Sequence, residues 1–168
     1  MTDLITNGRE VRLPDGTVLP CSMGRSGLIA AADKREGDGA TPIGRWRLLH
    51  VYYRADRIAP PDTALPVTAI TDRDGWCDAP DDPNYNRAVT LPYSASHETL
   101  MRDDGLYDLL VTTDHNSDPA VPGLGSAIFL HCRHPEGKPT AGCISVDRAA
   151  LIALVESIDA DSYLVIEA

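Results

Sequence analysis

The chain has 168 residues, of which 43% are hydrophobic, and a formal net charge of −10 with a pI near 4.7. That length suits one domain, 1–168, able to bury a core without disulfides or metal. The acidic balance argues against nucleic acid and anionic membranes as partners, because phosphate surfaces reward clustered Lys and Arg. No run approaches the ~20 apolar residues of a membrane span.

In chain order, the N-terminal stretch "MTDLITNGREVRLPDG" has neither the basic head nor the apolar run of a leader, so a cytoplasmic protein is the expectation; periplasm or cell envelope is the alternative if a leader was removed. Residues 10–19 alternate apolar and polar positions around Pro14, Asp15 and Gly16, which predicts a β-hairpin. Between Arg25 and Arg57 seven basic residues face four acidic ones, a local inversion that would attract a small anion or simply be a solvated surface. Residues 45–53 ("RWRLLHVYY") read as a strand. The Pro-rich segment 56–92 reads as an irregular excursion, of a length that usually carries function. A short helix is expected around Ser96 to Met101. Residues 107–113, 126–131 and 162–168 read as further strands. After Asp147, a candidate N-cap, Leu151, Ile152, Leu154, Val155 and Ile158 share one helical face. The expected architecture is therefore mainly β, a sandwich- or barrel-like assembly with one clear helix after the strand that carries Cys143.

Chemistry concentrates in "SAIFLHCRHPEGKPTAGCIS", residues 126–145. A hairpin-like return through the Pro- and Gly-containing connection would bring His131 beside Cys143. A thiol becomes a nucleophile when an adjacent imidazole takes its proton or stabilises the thiolate. Gly142 would leave room for a substrate carbonyl and turn backbone N–H groups outward as an oxyanion hole. Two other readings stand beside this one. Cysteine is among the most buried residue types and a strand-end histidine is commonly just hydrogen-bonded. His131, Cys132, His134 and Cys143 also offer soft ligands for zinc, although adjacent His131 and Cys132 point to opposite faces of an extended chain and no C-x-x-C occurs. The four cysteines form no disulfide pattern and read as free thiols.

The order "IFLH…PTAGCIS", with Thr140, Gly142 and Cys143 downstream of His131, resembles the signature of the L,D-transpeptidase (YkuD-like) family, and "GATPIGRW" at 39–46 resembles its Thr-Pro-x-Gly-aromatic segment. The stretches from "MGRSGLIAAADKREGDG" through "YNRAV" extend the likeness, to a compact subgroup, over about residues 20–160. The resemblance implies a mainly β domain in which Cys143 attacks the L,D bond between diaminopimelate and D-alanine in a peptidoglycan stem peptide or muropeptide. It implies His131 as base, Gly142 and Cys143 N–H groups as oxyanion donors, and the Cys132 carbonyl as orienter of the ring, with no metal or cofactor. Carbapenem adduct formation at Cys143 is implied too. Ala141 stands where many members have a second histidine and Ser145 where many have arginine; the His-to-Cys spacing of twelve is short.

Water as acceptor makes the protein an L,D-carboxypeptidase of muropeptide recycling; a stem amine makes it a cross-linking transpeptidase. A non-catalytic peptide-binding module and a zinc hydrolase are the readings from other classes. Arg25, Lys34 and Arg35 are candidates for a substrate carboxylate, against simple solvation. Tyr107 and Asn116 are candidate contacts near the site, against packing and turn formation. Thr140 and Ser145 complete the substrate candidates. Trp46 and Trp76 read as structural anchors.

Overall fold

The computed structural model describes residues 2–168. Runs rich in β-branched and aromatic residues, cut short by Gly, Pro and Asp, fold as brief strands. They are β1 (Leu4–Thr6), β2 (Glu10–Arg12), β3 (Val18–Ser22), β4 (Leu28–Ala30), β5 (Thr41–Tyr53), β6 (Val67–Ala69), β7 (Asp74–Cys77), β8 (Ala88–Thr90), β9 (His97–Thr99), β10 (Leu109–Thr113), β11 (Phe129–Cys132), β12 (Ile144–Val146) and β13 (Tyr163–Ile166); the single α-helix among the described residues is α1 (Arg148–Ser157). The fold is mainly β with that helix after β12, as the sequence predicts.

Strand order runs β10-β11-β12-β3-β2-β1-β13-β5, and β5 pairs again with β10, so the sheet closes into a barrel. Closure depends on the length of β5. Residues 44–47 pair with β13, while its second half pairs with β10 in the register Val51↔Val111. A closed sheet has no free edge to satisfy. A separate sheet, β8-β7-β9, lies outside this ring.

Alternation along β10, β11 and β12 sends side chains to two different cores. Leu109, Val111, Leu130, Cys132, Ile144 and Val146 join the main core with Leu151, Leu154 and Val155 of α1. Leu110, Phe129 and Cys143 face the second, smaller core with Tyr107 and Leu100, and Trp76 of the outer sheet packs on it. Both faces of these strands are covered, which is why β10 is buried at every position.

Three expectations need correction. Residues 96–101 are not helical, because β9 pairs with β7 through Trp76↔Glu98 and Cys77↔His97. The 56–92 excursion contains β6, β7 and β8, whose three- or four-residue lengths leave too few positions for a period to show. Finally, β11 and β12 form no hairpin; they are parallel neighbours, with the 133–143 connection crossing over. The 10–19 hairpin is present, with Val11↔Leu19 in register. Asp147 takes the N-cap place, where its carbonyl accepts from Leu151 N–H at 2.8 Å, yet its side chain caps nothing. No helix among the described residues is long and apolar enough to cross a membrane.

Asp108, 3% exposed, fastens the pieces that surround the strands: one carboxylate oxygen accepts from Arg57 at 2.9 Å and the other from Arg148 of α1 at 2.8 Å. Asp108→Ala should therefore lower unfolding free energy by about 1–3 kcal/mol in urea titrations, the usual effect of removing a buried charged acceptor from its hydrogen bonds.

Candidate active site

Parallel pairing of β11 with β12 sets Leu130 opposite Ile144 and His131 opposite Ser145. Paired residues share a face, and Cys143, two positions before Ser145, returns to that face. His131, Cys143 and Ser145 accordingly line one cleft of about 370 Å³, between the barrel wall and the outer sheet. Its size is that of a small-ligand site.

The sulfur is already held. Cys143 Sγ–H donates to the Ala127 carbonyl at 3.0 Å, and Phe129 N–H donates to the sulfur at 3.3 Å. His131 Nδ1 lies 2.8 Å from the Cys132 carbonyl, which can only accept, so Nδ1 carries the proton and Nε2 keeps its lone pair. Tyr107 meets the imidazole edge-on at 5.3 Å between ring centres. Burial pushes the Tyr107 phenol well above its ordinary value, so it stays a donor, with its hydroxyl at 3.2 and 3.3 Å from the Glu98 carboxylate oxygens.

Electrostatics fix the resting protonation state. Burial, followed by the Glu98 charge, pushes the Cys143 thiol up to about 12, against the pull of the Phe129 N–H. Burial brings His131 down to about 4, although the Cys132 hydrogen bond opposes this. At neutral pH the pair is thiol and neutral imidazole, not thiolate and imidazolium. A thiol in that state becomes a nucleophile only through general-base transfer, not from a preformed ion pair.

The loop before the cysteine is built by two threonines. Thr140 Oγ1 accepts from Gly142 N–H at 3.1 Å and donates to the Cys143 carbonyl at 2.6 Å. Thr41, the first residue of β5, donates to the Gly142 carbonyl at 2.7 Å and accepts from Gly24 N–H at 2.9 Å. Gly142 sits at φ +146°, and a Cβ there would lie 2.9 Å from the Ala40 carbonyl. The expected reason for this glycine thus changes: the protein's own backbone, not a substrate carbonyl, occupies the space. Its N–H is also taken by Thr140 at 3.1 Å, so of the two expected oxyanion donors this one is already engaged.

The remaining predicted residues divide. Tyr107, Thr140, Ser145, Arg25 and Lys34 line the cleft. Lys34 is buried and already paired with Asp38, with a further bond to the Arg35 carbonyl at 3.1 Å. Arg25 is exposed. Arg35 lies outside the cleft and donates to the Ala32 and Lys34 carbonyls at 2.9 and 2.7 Å. Asn116 is also outside; its amide grips the Val121 and Gly125 carbonyls at 3.0 and 2.9 Å, the turn-forming alternative. The Cys132 side chain faces the main core, so only its carbonyl takes part. His131, Cys132, His134 and Cys143 do not converge, and no group of three or more His, Cys, Asp or Glu among the described residues is placed to hold a metal ion.

Sequence reasoning missed Glu36, Asp78, Glu98 and Arg102, all lining the cleft. It also missed Asn86. Buried at φ +57°, Asn86 accepts from Ala127 N–H at 2.9 Å and Trp76 Nε1–H at 3.0 Å, and donates to the His115 and Asn116 carbonyls at 3.0 and 2.8 Å. Ala127 is itself at φ +54°, a conformation alanine adopts only when its surroundings impose it. The carbonyl that holds the sulfur is positioned by these bonds. The available signal was "YNRAV", which matched the family without a role.

A thiol and a singly protonated imidazole thus share one face of a closed β-sheet, with a backbone donor at the sulfur. The chain belongs to the L,D-transpeptidase catalytic domain (YkuD) family, whose model matches residues 1–166. It is accordingly an L,D-transpeptidase-family enzyme acting on peptidoglycan. Comparison with curated proteins gives no match.

Two outcomes test this geometry. Gly142→Ala should reduce turnover by about a hundredfold, because strain and the Ala40 contact displace the Cys143 N–H, and steady-state kinetics would register it. Acid should weaken the fold through buried imidazoles: burial also holds His115 at about 4. Unfolded rings gain protons near pH 6.5 while folded ones do not, so stability is full above that pH and is lost as pH falls towards 4. Each ring contributes up to roughly 3 kcal/mol. Urea midpoints measured between pH 7.5 and 4 should fall, with a smaller fall in His115→Gln.

Proposed function

We propose that the enzyme is an L,D-carboxypeptidase that removes D-alanine from the diaminopimelate of tetrapeptide stems, with water as final acceptor. The observation that carries this reading is the His131 Nδ1 bond to the Cys132 carbonyl, which leaves Nε2 with its lone pair in the same cleft as the Cys143 thiol.

In the first half-reaction Cys143 Sγ attacks the carbonyl carbon of the L,D bond while its proton passes to His131 Nε2. The oxyanion accepts from the Cys143 N–H. His131 then returns the proton to the leaving nitrogen, the C–N bond breaks, and D-alanine departs with a thioester left on the sulfur. In the second half-reaction water adds to the thioester, His131 takes its proton, and collapse regenerates the Cys143 thiol and frees a tripeptide carboxylate. Splitting one amide hydrolysis into two lower barriers is the benefit of the covalent route.

Incubation of a disaccharide tetrapeptide with the enzyme, with and without an added amine, followed by mass spectrometry tests both halves. Loss of one D-alanine in the presence of the amine supports hydrolysis, whereas exchange or dimer products assign transfer. Cys143→Ala should abolish every product while retaining the fold, and Cys21→Ala should not. A carbapenem should add its mass to the wild type and not to Cys143→Ala.

A further inference from the structure

Besides thiol and imidazole, the cleft carries three carboxylates from separate segments: Glu36, Asp78 just after β7, and Glu98 in β9. Neutral hydroxyls hold all three. Glu36 accepts from Tyr85 and Ser126, both at 2.6 Å, Asp78 accepts from Ser96 at 2.6 Å, and Glu98 accepts from Tyr107. None of the three has an ion-pair partner among the described residues. Arg102 is close enough for its charge to reach Glu98, but its guanidinium is committed to Asp104 at 3.1 Å. Burial, and after it the charges of Asp78 and Glu36, push the Glu98 carboxyl up. The three do not form a group that could hold one metal ion.

An independent observation points to a ligand in the same cleft. Ser145 is 1% exposed and lines the cleft, and its hydroxyl has no hydrogen-bond partner among the described residues. Buried hydroxyls are almost always satisfied, so one left open beside a reactive pair marks a place for a polar group of the substrate.

We propose that Glu98, flanked by Asp78 and Glu36, is a subsite for a primary ammonium group of the substrate, and that Ser145 hydrogen-bonds the peptide backbone of the same molecule. This rests on the stem-peptide reading above and names the feature it selects: a third residue with a free terminal amine. Carboxylates without an ion-pair contact in a partly dry cleft gain most from a cation. Seating that cation on Glu98 would also cancel the charge that opposes ionisation of Cys143, so the correct substrate would ease its own attack.

The test uses two tetrapeptide stems that differ only in whether the third-residue amine is free or acetylated. Wild type should favour the free amine by about tenfold or more in kcat/KM, and Glu98→Gln should bring the two substrates within roughly threefold. Ser145→Ala should raise KM for both stems alike. A preference kept intact in Glu98→Gln, or no preference in wild type, overturns the subsite while leaving the reaction standing. No turnover of either stem by wild type overturns the reaction and the subsite with it. An intact donor preference combined with weaker capture of the acyl-enzyme by an added amine assigns the cation to the acceptor and overturns the donor assignment. An unchanged KM in Ser145→Ala removes the hydroxyl from the proposal.

Discussion

The parallel ladder between β11 and β12 is the constraint on which the site depends. It joins strands separated by an eleven-residue connection and sets His131 level with Ser145, so that the two-residue period of extended chain returns Cys143 to the same face. A register shift of one residue would exchange the faces: His131 and Cys143 would enter the main core, and Ile144 and Leu130 would enter the cleft. The register is therefore defended by apolar burial on both sides, and the chemistry inherits its precision from the packing of two hydrophobic cores.

The same burial determines the resting state of the pair. Removing thiol and imidazole from water disfavours the charged form of each, and the nearby Glu98 charge adds to the opposition at sulfur. What the fold supplies in return is direction: a single tautomer, set by the Cys132 carbonyl, and a sulfur fixed between Ala127 and Phe129. A resting thiol of this kind is shielded from indiscriminate oxidation and alkylation, because the thiolate is the reactive species.

Much of this was legible in the sequence, for reasons that can be located. The 10–19 hairpin, β5, β10 and β13 announce themselves through alternation or β-branched runs bounded by turn residues, and the helix through its apolar face. The motif around Cys143 identified the family, and adjacency of His131 and Cys132 already placed their side chains on opposite faces. Sequence could not give the parallel direction of β11 and β12, since a Pro- and Gly-rich connection reads equally as a hairpin or a crossover. β9 was mistaken for helix because three residues carry no period. Glu98, Asp78 and Asn86 went unseen because what gathers them is the pairing of the outer sheet and its packing on the barrel, all of it long-range. The role of Gly142 was misjudged because the carbonyl it accommodates belongs to Ala40, about a hundred positions earlier in the chain.

The reach of β5 has a consequence of its own. Its first residue, Thr41, clasps the carbonyl of Gly142 beside Cys143, and its last residues seal the barrel against β10. One ribbon thus belongs both to the loop that carries Cys143 and to the seam on which global cooperativity rests. Warming that parts the seam slackens the loop in the same event, so this architecture has no half-melted form that still works, and thermal inactivation and thermal melting should trace one curve.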